Sequence, residues 1–377
     1  MKFVIAPDKY KGSLTGIEFC NAVEEGIQKV FPKASIVKLP LADGGDGTID
    51  ALLYSLKGEK ISVTVNNPVF KPVSATYLYV AATQTAIIEM AEASGLKLVK
   101  GTDVNCMHSS SKGTGELIMD ALKKGAKNII LGIGGSATND AGIGMATALG
   151  YRFLDKNGQE LLPIGKNLQF IDKIDATQTS PLLNNINVQV ACDVTNPLYG
   201  KNGAAFVYAK QKGASSEEIQ LLDNGLALFS NILQKHFNIY CQEIPGAGAA
   251  GGLGAGAITF LKGELTSGIE LIKNITQFDT IIHKADWIVT GEGQLDEQTL
   301  SGKTIQGVLT SASRQNIPVA AFCGSVALSI STQEQLGLRY VCSITKGITN
   351  LETAMKQSYQ NLVFSTYNFC KILKTSA

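Results

Sequence analysis

A chain of 377 residues has room for two α/β domains, each with a core of its own. A net charge of +1 and a charged fraction of 17% exclude the basic footprint of a nucleic-acid binder and any strongly acidic partner surface. No apolar run reaches transmembrane length, and the seven cysteines, odd in number and never spaced as CxxC, read as free thiols of a reducing cytoplasm.

The chain opens on a strand, Lys2-Phe3-Val4-Ile5-Ala6, cut short by Pro7 and Asp8 and too short for a signal-peptide core. Ile17, Ala22, Val23, Ile27 and Val30 then mark an amphipathic helix, and Ser35–Leu41 reads as a second strand. Ala42-Asp43-Gly44-Gly45-Asp46-Gly47-Thr48 follows it and opens a helix through Leu56. Two consecutive strands therefore end in acidic, glycine-bearing loops, which a parallel α/β sheet sets side by side on its carboxyl edge. From Lys60 to Met90 the texture becomes alternating and β-branched, which predicts an antiparallel piece and a domain change near residue 65.

Ser109–Glu116 is another glycine and hydroxyl loop, leading into a helix over Leu117–Lys123. Next comes the stretch around which the chain is organised, Asn128–Leu149. Apolar Ile129–Ile133 reads as a buried strand, Gly134-Gly135-Ser136-Ala137-Thr138-Asn139-Asp140 breaks it, and Ile143, Met145, Ala146 and Leu149 resume at helical spacing. A strand running through glycines into a helix points backbone N–H groups and the positive helix end at an anion. Ser136, Thr138 and Asn139 add hydroxyl and amide partners, and Asp140 suggests a bridging cation. The bland alternative is an ordinary corner in which Thr138 or Asn139 caps the helix.

Further on, the strand Asn187–Cys192 ends in Asp193-Val194-Thr195-Asn196-Pro197, and a long amphipathic helix covers about Ser216 to His236. Pro245–Gly254 is glycine-rich and precedes a helix through Leu261. The strand Trp287–Val289 stops at Thr290-Gly291-Glu292-Gly293-Gln294-Leu295-Asp296, and Ser301-Gly302-Lys303-Thr304 starts a helix. Strands at Val319–Cys323 and Tyr340–Ile344 and a helix from Leu351 to Ile372 return to the texture of the first sixty residues.

Two familiar patterns nearly fit. Gly246-x-Gly248-x-x-Gly251 matches GxGxxG literally, but Ile239–Ile244 makes a poor strand before it. Gly302-Lys303-Thr304 resembles the end of a P-loop, yet position 297, where glycine is needed, is Glu297. The three histidines, His108, His236 and His283, are too far apart for a zinc site. What stands out is the number of strand-end loops that combine glycine with charge: carboxylates at 8, 43, 46, 140, 193, 292 and 296, with Lys11, Lys112 and Lys303 opposite. Anion-cradling backbone, lysines and several carboxylates are what phosphoryl transfer with Mg²⁺ requires. Taken singly, each acid also fits a helix cap or a solvated charge.

The chain resembles the glycerate kinase type-1 family over nearly its whole length. The motifs that carry the resemblance are Ala6-Pro7-Asp8 with Lys11 and Ser13-Leu14, Ala42-Asp43-Gly44-Gly45, and Lys112-Gly113-Thr114-Gly115-Glu116. To these belong Gly132–Asp140, Ala191–Pro197, Pro245–Gly252, and Thr290-Gly291-Glu292-Gly293 with Asp296, Gln298, Gly302 and Lys303. Lys9 stands where the family commonly has serine, Lys112 and Gln294 where arginine is frequent, and Cys323 in what is usually Ala-Gly-Ser. The resemblance implies ATP-dependent phosphorylation of D-glycerate with Mg²⁺, to 2-phosphoglycerate. It also implies a two-domain α/β fold: a Rossmann-like parallel domain from 1–65 and 285–377, an inserted mixed α/β domain from 66–284, and an active site in the cleft between them.

The expected roles follow. Asp193, at the end of an apolar strand, is the leading general base or metal anchor, with Lys11, Asp8 and Lys303 as further catalytic residues. Ser13, Asp43, Gly44, Gly45, Lys112, Gly113, Thr114, Gly134, Gly135, Ser136, Thr138, Asn139, Gly246, Gly248, Gly251, Gly291, Glu292 and Gly293 are expected around substrate and phosphates. Asp193, Asp140 and Asp296 are expected at the metal. The rival classes are an NAD(P)-dependent hydroxy-acid oxidoreductase, which needs a strand before Gly246, and a non-catalytic small-anion or nucleotide-binding protein. No nucleic-acid or membrane partner is expected.

Overall fold

A computed structural model describes residues 1–8, 10, 12–42, 45, 47–296 and 303–375, with Lys303 described in its backbone alone. The chain divides into two compact units, one of residues 1–43, 50–57 and 269–377, the other of 44–49 and 58–268. The division falls before the expected residue 65 because Glu59–Asn66 pairs along its whole length with Pro72–Val80 and so belongs to the second unit's sheet. Likewise the helix Phe278–Ile281 sides with the first unit.

The first unit is a parallel α/β domain. Its sheet runs Tyr340–Ser343, Val319–Cys323, Trp287–Thr290, Lys2–Ile5, Ser35–Lys38, with every neighbour parallel. Strands buried on both faces read as continuous apolar runs, as Lys2–Ile5 and Val319–Cys323 do. The helix Gly16–Gln28 starts where Thr15 and Glu18 form a capping box, and it buries Phe19, Val23 and Ile27 at helical spacing against the sheet. Phe3, Ile5, Val289, Phe322 and Phe369 complete this core. The chain leaves Lys2–Ile5 toward Ser35–Lys38 and leaves Trp287–Thr290 the other way, toward Val319–Cys323. Adjacent strands whose connections diverge make a switch point, and their carboxyl ends open a crevice there. The C-terminal helix is two elements, Leu351–Lys356 and Ser358–Thr375.

The second unit has a mixed sheet ordered Glu264–Thr266, Asn187–Ala191, Asn128–Gly132, Thr85–Glu89, Pro72–Val80, Glu59–Asn66. The first four strands are parallel and the last two join antiparallel, as the alternating texture of 60–90 predicts. The helices Lys112–Lys123 and Ala249–Leu261 pack on this sheet through Leu117, Ile118, Ala121, Leu253 and Ala257. A second apolar cluster gathers under the helix Ser216–Phe237, which begins at a Ser215–Glu218 capping box and stops at Asn238 in the left-handed region. Among the described residues, no helix is long and apolar enough to cross a membrane.

Candidate active site

The carboxyl ends of the second unit's parallel strands present, from one side to the other, Gly268, Asp193, Gly134 and Glu89. Gly134 and Gly135 are exposed and Gly135 is left-handed, with φ 73°. The turn is held by Leu96 N–H to Gly135 O and Ala137 N–H to Ser94 O, both 2.9 Å. Among the described residues, no acceptor is paired with the N–H of Gly134, Gly135 or Ser136. Three successive amides around a left-handed residue form a concavity of positive potential suited to an anion. A Cβ on Gly134 would lie 3.4 Å from Gly45 Cα, so Gly45 borders this cradle.

The expectation that these glycines open directly into a helix is corrected. The helix starts later, at Ile143, and the anion at its start is the protein's own Asp140. Asp140 is fully buried; its Oδ2 accepts from Ser111 N–H and Oγ–H, both 2.8 Å, and Gly144 N–H, 3.2 Å, and its Oδ1 accepts from Gly142 N–H, 3.2 Å. Burial pushes the Asp140 carboxyl up, and the donors from Ser111, Gly142 and Gly144 pull it back. A sealed carboxylate met by four donors ties two helix starts together and is not placed to hold a metal that also touches substrate. Thr138 and Asn139, fully buried with hydroxyl and amide unpartnered among the described residues, lie beneath the cradle and not on its open face.

Other expected ligands also turn inward. Gly113 and Thr114 are buried: a Cβ on Gly113 would meet Asn66 O at 1.9 Å, and Thr114 Oγ1 lies 2.8 Å from Ser94 Oγ. Lys112 is half-buried and lines an open groove of about 560 Å³ with Asn66, Glu116 and Lys123. The glycines of the GxGxxG match serve close backbone packing. A Cβ on Gly248 would meet Pro197 O at 2.1 Å, one on Gly251 Thr138 O at 2.1 Å, and one on left-handed Gly246 Cys192 Sγ at 2.9 Å. Cys241–Glu243, just before them, is a 3₁₀ turn, so the dinucleotide fingerprint lacks its strand.

Asp193 is half-buried two residues beyond Ala191, and its Oδ1 accepts from Gly268 N–H at 3.0 Å, at the start of the helix Gly268–Ile275. At the first unit's switch point, Asp8 N–H donates to Gly291 O at 2.9 Å and Thr290 Oγ1 to Ala6 O at 2.8 Å. Asp8, Gly291, Glu292 and Gly293 are thereby brought together; a Cβ on Gly291 would strike Phe322 O at 2.0 Å. Asp296 follows the short strand Gln294–Leu295 and is half-buried. Ser13 is diverted: its Oγ donates to Met355 O at 3.1 Å and lies 2.6 Å from Ser358 Oγ. Lys11, Asp43 and Gly44, and the side chain of Lys303, lie outside the described residues.

A family model described as the glycerate kinase family matches residues 3–374. The chain belongs to the glycerate kinase family. It is 46% identical to the glycerate kinase of Bacillus cereus over 100% of this chain and 99% of that protein. It is 41% identical to the glycerate 2-kinase of Escherichia coli K12, covering 99% and 98%. A crystal structure described as a candidate glycerate kinase 2 from Salmonella typhimurium LT2 superposes with a TM-score of 0.92 at 40% identity, covering 100% of this chain and 99% of that one.

Two buried charged residues near the strand edge in this family member escape sequence reading. Glu89, 4% exposed, ends the apolar run Thr85–Glu89 and accepts from Gly47 N–H at 3.1 Å and Ile49 N–H at 2.7 Å. It supplies the negative charge at the start of the helix Thr48–Leu56. Lys212, 3% exposed, reaches the underside of the cradle through Ser136 and Thr138. Signals for both were faint: an acid closing an apolar strand, and a lysine followed by a glycine.

Proposed function

We propose that this chain transfers the γ-phosphoryl group of ATP to the 2-hydroxyl of D-glycerate in the presence of Mg²⁺, giving 2-phosphoglycerate and ADP. The observation that carries this reading is the Gly134–Ser136 cradle, whose three N–H groups, unpaired among the described residues, lie one strand away from the carboxylate of Asp193. Family membership supports the substrate, and the name of the Escherichia coli relative, glycerate 2-kinase, supports the position phosphorylated.

In this account the cradle holds one substrate anion in register, and Asp193 accepts the hydroxyl proton as the oxygen bonds to phosphorus and the bond to the β-phosphate oxygen breaks. Gly268 N–H fixes the carboxylate through Oδ1. Asp8, Gly291, Glu292 and Gly293 form the first unit's own candidate ligand-binding strand end, and Lys11 and Lys303 are the lysines assigned to offset phosphate charge. Mg²⁺ ordinarily takes one or two carboxylates and completes its shell with water and phosphate oxygens. The residues present fit that pattern in each unit separately: Asp193 and Asp296 are each half-buried at a strand end of their own unit, available to hold such an ion. Asp140 does not fit. When bound, the ion would supply positive charge that offsets the charge on the nucleotide phosphates.

The test is coupled ADP release with ATP, Mg²⁺ and D-glycerate, with L-glycerate and other hydroxy acids as controls and phosphorus NMR of the product. D-glycerate-dependent release with a 2-phosphoglycerate signal is the expected result; ADP release indifferent to glycerate would overturn it.

A further inference from the structure

Lys212 sits in a polar stretch, Lys210-Gln211-Lys212-Gly213, that would ordinarily face water, yet it is buried. Its neighbour explains why. Gly213 is left-handed, with φ 86°, and a Cβ there would sit 1.9 Å from Val104 O. Cys106 N–H donates to Lys212 O at 3.0 Å, so this segment is pressed onto residues 104–106 and the lysine side chain turns inward. Its Nζ donates to Ser136 Oγ at 2.7 Å and to Thr138 O at 2.8 Å, bridging the cradle loop from below across more than seventy residues of sequence.

The charged and titratable groups facing it are the Cys106 thiol and the Asp140 carboxylate. Burial pushes the thiol up to about 11, so at neutral pH it carries no charge. Burial pushes the Lys212 ammonium down to about 8, against the favourable pull of Asp140. A buried ammonium is costly to keep, and replacing it with an apolar side chain would relieve that cost, so folding alone does not call for it.

We propose that Lys212 is a positioning residue for phosphoryl transfer: it holds Ser136 and Thr138 so that the three cradle N–H groups converge on a substrate anion, and it places a positive charge beneath them. This rests on the reading that the Gly134–Ser136 loop binds an anion, either the carboxylate of the hydroxy acid or a phosphate of the nucleotide.

The experiment compares wild type with Lys212→Met, Lys212→Arg and Ser136→Ala. KM for D-glycerate at saturating ATP, KM for ATP at saturating D-glycerate, kcat and thermal midpoint are measured for each; the two KM arms separate the carboxylate from the phosphate. Lys212→Met is expected to raise one KM on the order of tenfold, the effect of removing one positive charge from beneath a bound anion at an effective dielectric near 20. The other KM stays within about twofold, Lys212→Arg restores most of the loss, and Ser136→Ala moves the same KM in the same direction. Should Lys212→Met fail to fold, Ser136→Ala, which keeps the charge and removes its acceptor, still decides the point. Both KM values unmoved in Ser136→Ala and in Lys212→Met would overturn the assignment while leaving the kinase reading intact. Loss of kcat and both KM values in step with melting temperature, without rescue by arginine, would overturn it too. Wild-type protein without D-glycerate turnover would overturn the kinase reading and this inference together.

Discussion

Asp140→Asn keeps the volume of the side chain while removing its charge and turning one acceptor oxygen into a donor. If the new NH₂ group takes the Oδ1 position it opposes Gly142 N–H, losing one bond and setting two donors face to face. In the other orientation it opposes Ser111 N–H and Gly144 N–H as well as the Ser111 hydroxyl, which is worse. The cheaper orientation costs about 2–3 kcal/mol, the range for a hydrogen bond to a charged group whose partner stays buried. Asp140→Ala leaves the three N–H groups without an acceptor and the Lys212 ammonium without its counter-charge, for about 3–5 kcal/mol. Against a total stability of about 5–15 kcal/mol that is a large share. Urea unfolding followed by circular dichroism, with and without Mg²⁺, reads the effect. Both variants should lower the midpoint by amounts that added metal does not change. Asp140→Asn as stable as wild type, but with turnover that extra Mg²⁺ restores, would refute the structural role and return Asp140 to the metal.

The buried Lys212 makes stability depend on alkaline pH in a defined sense. Its folded pKa lies at about 8 against an ordinary 10.5, so between those values the unfolded chain binds more protons and stability rises with pH. The full gain is about 3 kcal/mol at 1.36 kcal/mol per pH unit, and it should be seen as the difference between wild type and Lys212→Met in unfolding midpoints across that window. Gly251→Ala places a Cβ 2.1 Å from Thr138 O at φ 70°, and should cost about 2–4 kcal/mol, read as a lowered thermal midpoint. Protein stripped with EDTA should lose D-glycerate-dependent ADP release and regain it with Mg²⁺; full turnover without metal would contradict the proposed chemistry.

The parallel sheets and their acidic strand ends are legible in the sequence because burial on both faces writes apolar runs, and Asp8 and Asp193 interrupt those runs abruptly. The role of Asp140 is not legible, because whether a carboxylate after glycines faces a metal or a helix start depends on Ser111, which lies 29 residues away. Glu89 and Lys212 are hidden for the same reason: their partners at 47, 49, 136 and 138 are distant in sequence. Glycine is ambiguous in a different way. It permits approach of a ligand at 134 and 135 and approach of backbone at 113, 248 and 251, and the residue type alone does not say which.

The central claim, that the strand edge carrying the cradle and Asp193 performs the transfer, is tested most directly by Asp193→Asn. Asparagine keeps Oδ1 for the Gly268 N–H and removes proton acceptance and charge. Calorimetric affinities for ATP and D-glycerate should stay within about threefold of wild type while kcat falls by about 10²–10⁴, the usual contribution of a positioned general base. Asp193→Asn with wild-type kcat would contradict the account.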